Sequence, residues 1–496
     1  MKSASRRALS AALFMPALLA AQTPPGVPTL SPPPPAQTTA PIGTNAGSAP
    51  VSAIPHLSDE QLSQLRRMLD GAASDGIAAA GQTSAAPSDA GQDAVVRAAL
   101  DYAKALHHGR LAESDFIGNW GLRPAPYDPR AGFVAAVEAD RLSTWIAALP
   151  PPWSGYDTLR KALATYRAIE KSGGWPTIAA GTDIVPGATG DRVALLRERL
   201  SVEDKELAKG PARYDDDVVA AVQRAQRRYG LEPTGTAGQM TLAALNVGAH
   251  DRVRQIEANM ERWRWLPAEL PAHRVQVNIA AAVLTMFDTD KPVMSMRAVT
   301  GRPGDETPML SSTIHSIVLN PPWNVPSSIA TKELWPKEHA HPGYLASHGF
   351  RVIGTGSGSR LQQIPKRSAL GKVKFDFDNP YGVYLHDTPT QGTFGRNSRL
   401  ASHGCVRLAH PVDLAKAMLQ DDPDWTADKI DAALQKGDTV RASLAQPVAV
   451  FLLYWTAYAS ADGKVTFLGD PYGWDSQLAD RLTSSAGLAK RTIDAQ

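Results

Sequence analysis

Apolar positions recur at helical spacing through the first half of the chain and then switch to alternation. Ser58, followed by Gln61, Leu62, Leu65 and Leu69, reads as an N-cap with a capping-box partner opening an amphipathic helix. An Ala/Gly/Ser-rich gap, Ala72 to Gly91, separates it from a second helical stretch, Ala94 to Leu106, and Tyr156 to Ile169 supplies a third. Three short helices are expected next, over Val193–Leu200, Asp216–Tyr229 and Ala237–Asn246. The middle one sets Val218, Val222, Ala225 and Tyr229 on one face, with aspartates in its first turn and Gly230 just past its end. A linking helix near Gln255 to Trp265 closes this half.

From about His273 the period becomes two: Val275, Val277 and Ile279, then Leu284 and Met286, Ile317 to Leu319, and Val383 with Leu385. A mainly β domain is therefore expected. Pro326 to about Lys374 mixes prolines, glycines and polar residues, which suits an inserted lid better than core strands. Val448 to Tyr458 and Val465 to Leu468 read as strands around the turn Ala461-Asp462-Gly463. The expected fold class is multidomain α+β: a helical region at 57–190, a three-helix unit at 191–250, a mainly β domain at 270–445 with a lid about 326–374, and an extension at 446–496.

Composition changes the picture at the N-terminus. Lys2, Arg6 and Arg7 precede an apolar run, Ala8 to Ala21, that is short for a membrane span and reads as an export signal over 1–21. Leu19 matches the small-residue cleavage rule poorly, so an uncleaved anchor stays open, and Arg6-Arg7 leaves the twin-arginine route open. Residues 22–56, with Pro32-Pro33-Pro34-Pro35, read as an extended linker. At 496 residues there is room for roughly three domains at ~150 residues each. A formal charge of +2 provides no broad footprint for nucleic acid, which is excluded as a partner. Any membrane contact is expected only through the signal segment.

The candidate chemistry lies in two short segments, Tyr384-Leu385-His386-Asp387-Thr388 and Ser402-His403-Gly404-Cys405-Val406-Arg407. Cys405 is the chain's one cysteine, so it forms no internal disulfide, and an idle thiol in an oxidising compartment is a liability. A thiol with pKa near 8.5 is mostly protonated at neutral pH; an imidazole such as His386 can take its proton and later return it to a leaving amine. Gly404 allows close backbone approach, so its N–H and that of Cys405 are candidates for an oxyanion site. Arg407 suits bidentate capture of a carboxylate.

These segments, with His386 nineteen residues before Cys405, resemble the L,D-transpeptidase (YkuD-type) catalytic domain. Asn259-Met260-Glu261-Arg262-Trp263-Arg264-Trp265-Leu266-Pro267, Val299-Thr300-Gly301-Arg302-Pro303 with Thr307-Pro308, and Asn320-Pro321-Pro322-Trp323-Asn324-Val325-Pro326 extend the likeness to the large periplasmic Gram-negative members with a capping insertion. Asp217-Val218-Val219 through Leu245-Asn246 resembles a peptidoglycan-binding module; a helical spacer without a ligand is the alternative. The resemblance implies Cys405 as acylated nucleophile, His386 as general base and acid, His403 and Gly404 shaping the nucleophile loop, and Tyr384, Arg407, Trp323 and Asn324 lining the site. It implies a periplasmic, wall-associated enzyme forming 3→3 cross-links from a tetrapeptide donor stem and a diamino-acid acceptor, without a cofactor and open to acylation by carbapenems. The same acyl-enzyme resolved by water or by a lipoprotein lysine, or a non-catalytic wall-binding scaffold, are the alternatives.

Two signals carry less. Gly354-Thr355-Gly356-Ser357-Gly358 lacks the flanking strand and helix of a dinucleotide fingerprint. His339, His341 and His348 come without an acidic ligand pattern, so no metal is expected.

Overall fold

The computed structural model describes residues 54–77, 91–356, 359–460 and 463–493. The expected export signal and nearly all of the linker lie outside these residues, as do the second half of the Ala72–Gly91 gap, Ser357-Gly358 and Ala461-Asp462. Among the described residues no helix is long and apolar enough to cross a membrane.

The first helix, Asp59–Asp70, starts as its sequence requires: the Gln61 amide donates to Ser58 Oγ at 3.2 Å and the Ser58 amide to Gln61 Oε1 at 3.0 Å. Helices Gln92–His108 and Ser154–Lys171 follow, then Asp191–Glu203, Asp216–Arg228 and Gln239–Leu245, each within a few residues of expectation.

The helix Ala249–Arg264 joins the halves, and twelve of its residues are buried, charged ones included. Three of these charged residues, Glu261, Arg262 and Arg264, find partners within the fold. Glu261 accepts from the Leu111 amide at 3.1 Å and from Arg264 at 2.8 Å; Arg262 pairs with Asp475 at 2.6 Å. Trp263 stacks on Trp455 at 4.9 Å, and Gly155 is needed because a Cβ there would lie 2.7 Å from the Trp263 ring. The segment Asn259 to Trp265 is thus a hub on which the helical half, the β half and the C-terminal residues converge.

A second buried knot ties the three-helix unit to its neighbours. Glu203 accepts from the hydroxyls of Tyr166 and Tyr229 and pairs with Arg199 at 2.7 Å, while Arg199 lies 3.8 Å over the Trp175 ring. Burial alone pushes the Glu203 carboxyl up, but Arg199, Arg228 and the two hydroxyls outweigh it and hold it at about 2.

The β half begins with β1 (His273–Asn278), β2 (Val283–Asp288), β3 (Lys291–Gly301) and β4 (Leu310–Leu319). After an insertion come β8 (Val373–Phe377), β9 (Leu385–His386), β10 (Leu400–Ser402), β11 (Val406–Leu408) and β12 (Val440–Leu453). They form a nine-stranded sheet in the order β10-β3-β11-β9-β8-β4-β12-β1-β2, and an added β2–β3 pairing closes it on itself. Closure removes most free edges. Within the insertion, β5 (Trp323–Asn324), β6 (Phe350–Ile353) and β7 (Arg360–Gln363) make a separate three-stranded sheet, β5-β7-β6. Its hydrophobic cluster, Val325, Ala330, Leu334, Leu345 and Leu361, is distinct from the main core.

Three expected boundaries shift. The division at 445/446 falls inside β12, which pairs with β4 on one side and β1 on the other and so is central to the sheet. The lid's expected end at 374 falls inside β8; Val373 and Phe375 are fully buried against β4 and β9, so these residues belong to the sheet. Val448 to Tyr458 is not one strand: β12 ends at Leu453, and β13 (Ala457–Ala459) turns to pair with β14 (Val465–Phe467). Phe467 meets the Tyr166 ring edge-on at 5.1 Å, which brings the C-terminal hairpin onto the Glu203 knot.

Candidate active site

The loop that carries Cys405 runs from β10 to β11, two strands that flank β3 on either side. It turns at Gly404, whose φ of +104° is a conformation that side-chain-bearing residues rarely adopt. Ser402 fixes the turn by donating from Oγ to the Cys405 carbonyl at 2.6 Å while accepting from the Gly404 amide at 3.2 Å. Thr307 supports it from below, donating to the Gly404 carbonyl at 2.7 Å and accepting from the Gly301 amide at 2.8 Å.

That arrangement corrects one expectation. The Gly404 amide is committed to Ser402, because the serine hydroxyl sits in the concave side of the turn. The Cys405 amide has no acceptor among the described residues and remains the free donor of the pair.

Strand register gathers the other residues. β9 and β11 run parallel with Leu385 opposite Val406 and His386 opposite Arg407. Side chains alternate between faces, so Leu385 and Val406 point into the core, where both are fully buried. Tyr384, His386, Cys405 and Arg407 share the other face. β8 continues it: Lys374 lies opposite His386, and Phe375 lies opposite Leu385 in the core. The hydrogen bonds to the Cys405 thiol come from Tyr384, through both its hydroxyl and its amide. Tyr384 is therefore a direct partner of the sulfur, a closer role than lining the site.

Electrostatics on this face keep both Cys405 and His386 neutral at rest. Cys405 is half-buried, and burial of its thiol raises the pKa above the usual thiol range against the hydrogen bonds from Tyr384 and the charges of Lys374 and Arg407. Burial, followed by the Arg407 charge, lowers His386 to about 3. Its Nδ1 faces the Asp387 carbonyl at 2.5 Å, an acceptor only, so the neutral ring carries its proton there. Burial also pushes the Tyr384 phenol well up, leaving it a neutral donor. No carboxylate among the described residues pairs with Arg407, and the thiol is its recorded electrostatic partner.

The insertion approaches this face at two points. Trp323, in β5, packs with the insertion's own cluster and interacts with the Tyr384 phenol. His403 donates from Nε2 to Glu333 Oε1 at 2.6 Å, linking the Cys405 loop to a helical turn at Ala330–Leu334. Asn324 is not brought to the thiol: it is exposed, and its side-chain carbonyl accepts from Gln362 across the small sheet at 2.9 Å. His348, one of the three discounted histidines, stacks on Tyr344 at 4.0 Å.

Three contributors escaped sequence reasoning. Lys374 fell at the edge of the expected lid and its partner Asp376, at 2.5 Å, just beyond it; the alternation Val373, Phe375, Phe377 against Lys374, Asp376 is the signal that marks them as a strand. Glu333 carries no such signal, since its partner lies 70 positions away.

Residues 272–441 match the family model for the YkuD L,D-transpeptidase catalytic domain. The chain carries an L,D-transpeptidase catalytic domain. Residues 189–245 match a model described as "Putative peptidoglycan binding domain", and residues 55–163 match one described as a scaffold domain. A Haemophilus influenzae protein named "Putative L,D-transpeptidase" is 30% identical over 243 residues, which cover 45% of this chain and 49% of the relative. The chain thus spans about half the length of that curated relative. Similar solved structures include L,D-transpeptidases from Xylanimonas cellulosilytica, 17% identical over 55% of this chain and 99% of that one with a TM-score of 0.19, and from Stackebrandtia nassauensis, 15% identical over 56% and 96% with a TM-score of 0.22. In this L,D-transpeptidase domain, β12 extends beyond the matched residues to Leu453, so the sheet needs the C-terminal strand to be complete.

Proposed function

We propose that the protein is an exported, wall-associated enzyme that forms 3→3 cross-links between peptidoglycan stems through a thioester on Cys405. The observation that carries this reading is the clustering of Tyr384, His386, Cys405 and Arg407 on one face of β9 and β11 in a domain that matches the L,D-transpeptidase model. The Cys405 sulfur attacks the carbonyl carbon that joins the third residue of a tetrapeptide stem to its terminal D-alanine, while His386 Nε2 takes the thiol proton. The developing oxyanion is met by the Cys405 amide, and Tyr384 steadies the sulfur as its proton leaves. His386 then returns the proton to the departing D-alanine nitrogen, and the C–N bond breaks to leave the thioester. A side-chain amine of a second stem attacks that carbonyl, His386 takes its proton, and the thiol is re-formed. Arg407, free of protein carboxylates, suits the donor's terminal carboxylate.

Purified protein incubated with tetrapeptide muropeptides tests this directly by mass spectrometry. Dimers that vanish with Cys405→Ala are expected; tripeptides alone would establish a hydrolase, and dimers made by Cys405→Ala would overturn the nucleophile. A carbapenem is expected to add one drug mass at Cys405.

A further inference from the structure

We propose that Glu333 is a positioning residue: by holding His403 it makes seating of the inserted subdomain and placement of the nucleophile loop a single event. The inference rests on the cysteine acyl-transfer reading above and adds to it a coupling between the insertion and the thiol.

Three observations carry it. The insertion is an independent packing unit, with its own cluster of Val325, Ala330, Leu334, Leu345 and Leu361 separate from the core of the catalytic sheet. Its placement over the site is therefore decided by the few groups that cross between the two. One crossing is the charge-assisted hydrogen bond between Glu333 and His403, at 2.6 Å and across 70 residues of sequence. His403 sits between Ser402, which locks the turn, and Gly404, whose φ of +104° makes it the loop's most permissive backbone position. Pulling on His403 therefore moves the residue directly ahead of the nucleophile. The other crossing is Trp323 to the Tyr384 phenol, and Tyr384 in turn reaches the Cys405 thiol. One crossing ends two residues before Cys405 and the other on the tyrosine beside its thiol, so an insertion lifted off the site leaves the thiol without two of its positioning contacts. Glu333 also lies in a helical turn wound wider than an α-helix, Ala330–Leu334, of the kind that often marks functional sites.

Glu333 and His403 are both partly exposed, so the pair adds little to stability and its loss is expected to leave folding intact. The test compares Glu333→Ala, Glu333→Gln, His403→Gln and the double variant Glu333→Ala/His403→Gln in the full chain. The readouts are kcat and KM for thioester formation, the alkylation rate of Cys405 by iodoacetamide, and the melting temperature. A displaced loop should lower kcat roughly ten- to a hundredfold with KM and the melting temperature little changed. Glu333→Gln should recover most of the rate, and the double variant should be no worse than the poorer single. Unchanged kcat and alkylation in Glu333→Ala, or losses that add in the double variant, would overturn the coupling. If neither dimers nor tripeptides form with Cys405 intact, the acyl-transfer reading fails, while the alkylation rates still decide the coupling.

Discussion

Lys374 lies over the ring of Tyr384, its Nζ 4.4 Å from the ring centroid, on the same sheet face as the thiol that Tyr384 contacts. The ammonium is held there by Asp376 at 2.5 Å, which is itself paired with Arg441 at 2.8 Å. Its charge favours the thiolate that must form in attack. Lys374→Met is expected to raise the pH at which Cys405 becomes alkylable and to slow alkylation at pH 7 by roughly two- to fivefold, matching a contact of ~0.5–1 kcal/mol. Lys374→Arg should recover most of that rate. An unchanged pH profile of iodoacetamide labelling in Lys374→Met would remove the lysine from the account.

Neutral His386 carries a pH signature in stability. Its folded value of about 3 lies below the 6.5 of an unperturbed histidine, so below pH 6.5 the unfolded chain takes up a proton that the folded chain refuses. Stability is therefore unaffected by this group above pH 6.5 and falls as pH drops from there toward 3. Urea unfolding between pH 7 and 5 should show a decline that His386→Asn flattens. An equal decline in both proteins would mean that the ring is not held neutral.

Glu203 acts in a lower window. Its folded value of about 2 against 4.5 unperturbed means that its stabilising contribution is complete above pH 4.5 and disappears as pH falls toward 2. Glu203→Gln leaves the buried Arg199 and the half-buried Arg228 without their carboxylate, at a cost of about 3–5 kcal/mol. Calorimetry at pH 7 should report a lower melting temperature, with the difference narrowing at acid pH. A variant as stable as the parent would dismiss the knot as a source of stability.

Gly404→Ala tests the turn before the nucleophile. A side chain at φ +104° introduces strain on the order of 1–3 kcal/mol, and the new Cβ would stand 3.4 Å from the Glu306 carbonyl. The loop is expected to relax by moving Cys405, so carbapenem adduct formation should slow at least tenfold while the protein stays folded. Adduct formation at the parental rate would show that the turn tolerates the change.

Much of this molecule was legible in local signals. The Ser58–Gln61 capping box, the helical stripes of 216–228 and the alternation of β1 and β2 each depend on neighbours a few residues away, and the spacing of apolar side chains encodes which face is buried. The residue types around Cys405 and His386 likewise announce their chemistry without coordinates. The sequence also carried the alternation of Val373 to Phe377, but glycines and prolines just before it drew the lid boundary two residues too far.

Tertiary structure alone decided who touches the sulfur. Tyr384 faces Cys405 because β9 and β11 pair in one register, and a one-residue slip would have turned it into the core. The Gly404 amide lost its expected role because a serine two residues earlier folded back onto it. Glu333 met His403 only because an insertion with its own core was set down over the loop. Contacts of this kind join segments far apart in the chain, and no periodicity records them. For Cys405, the sequence by itself singled out the sulfur proposed to react, and the sheet and its insertion determined the groups that surround it.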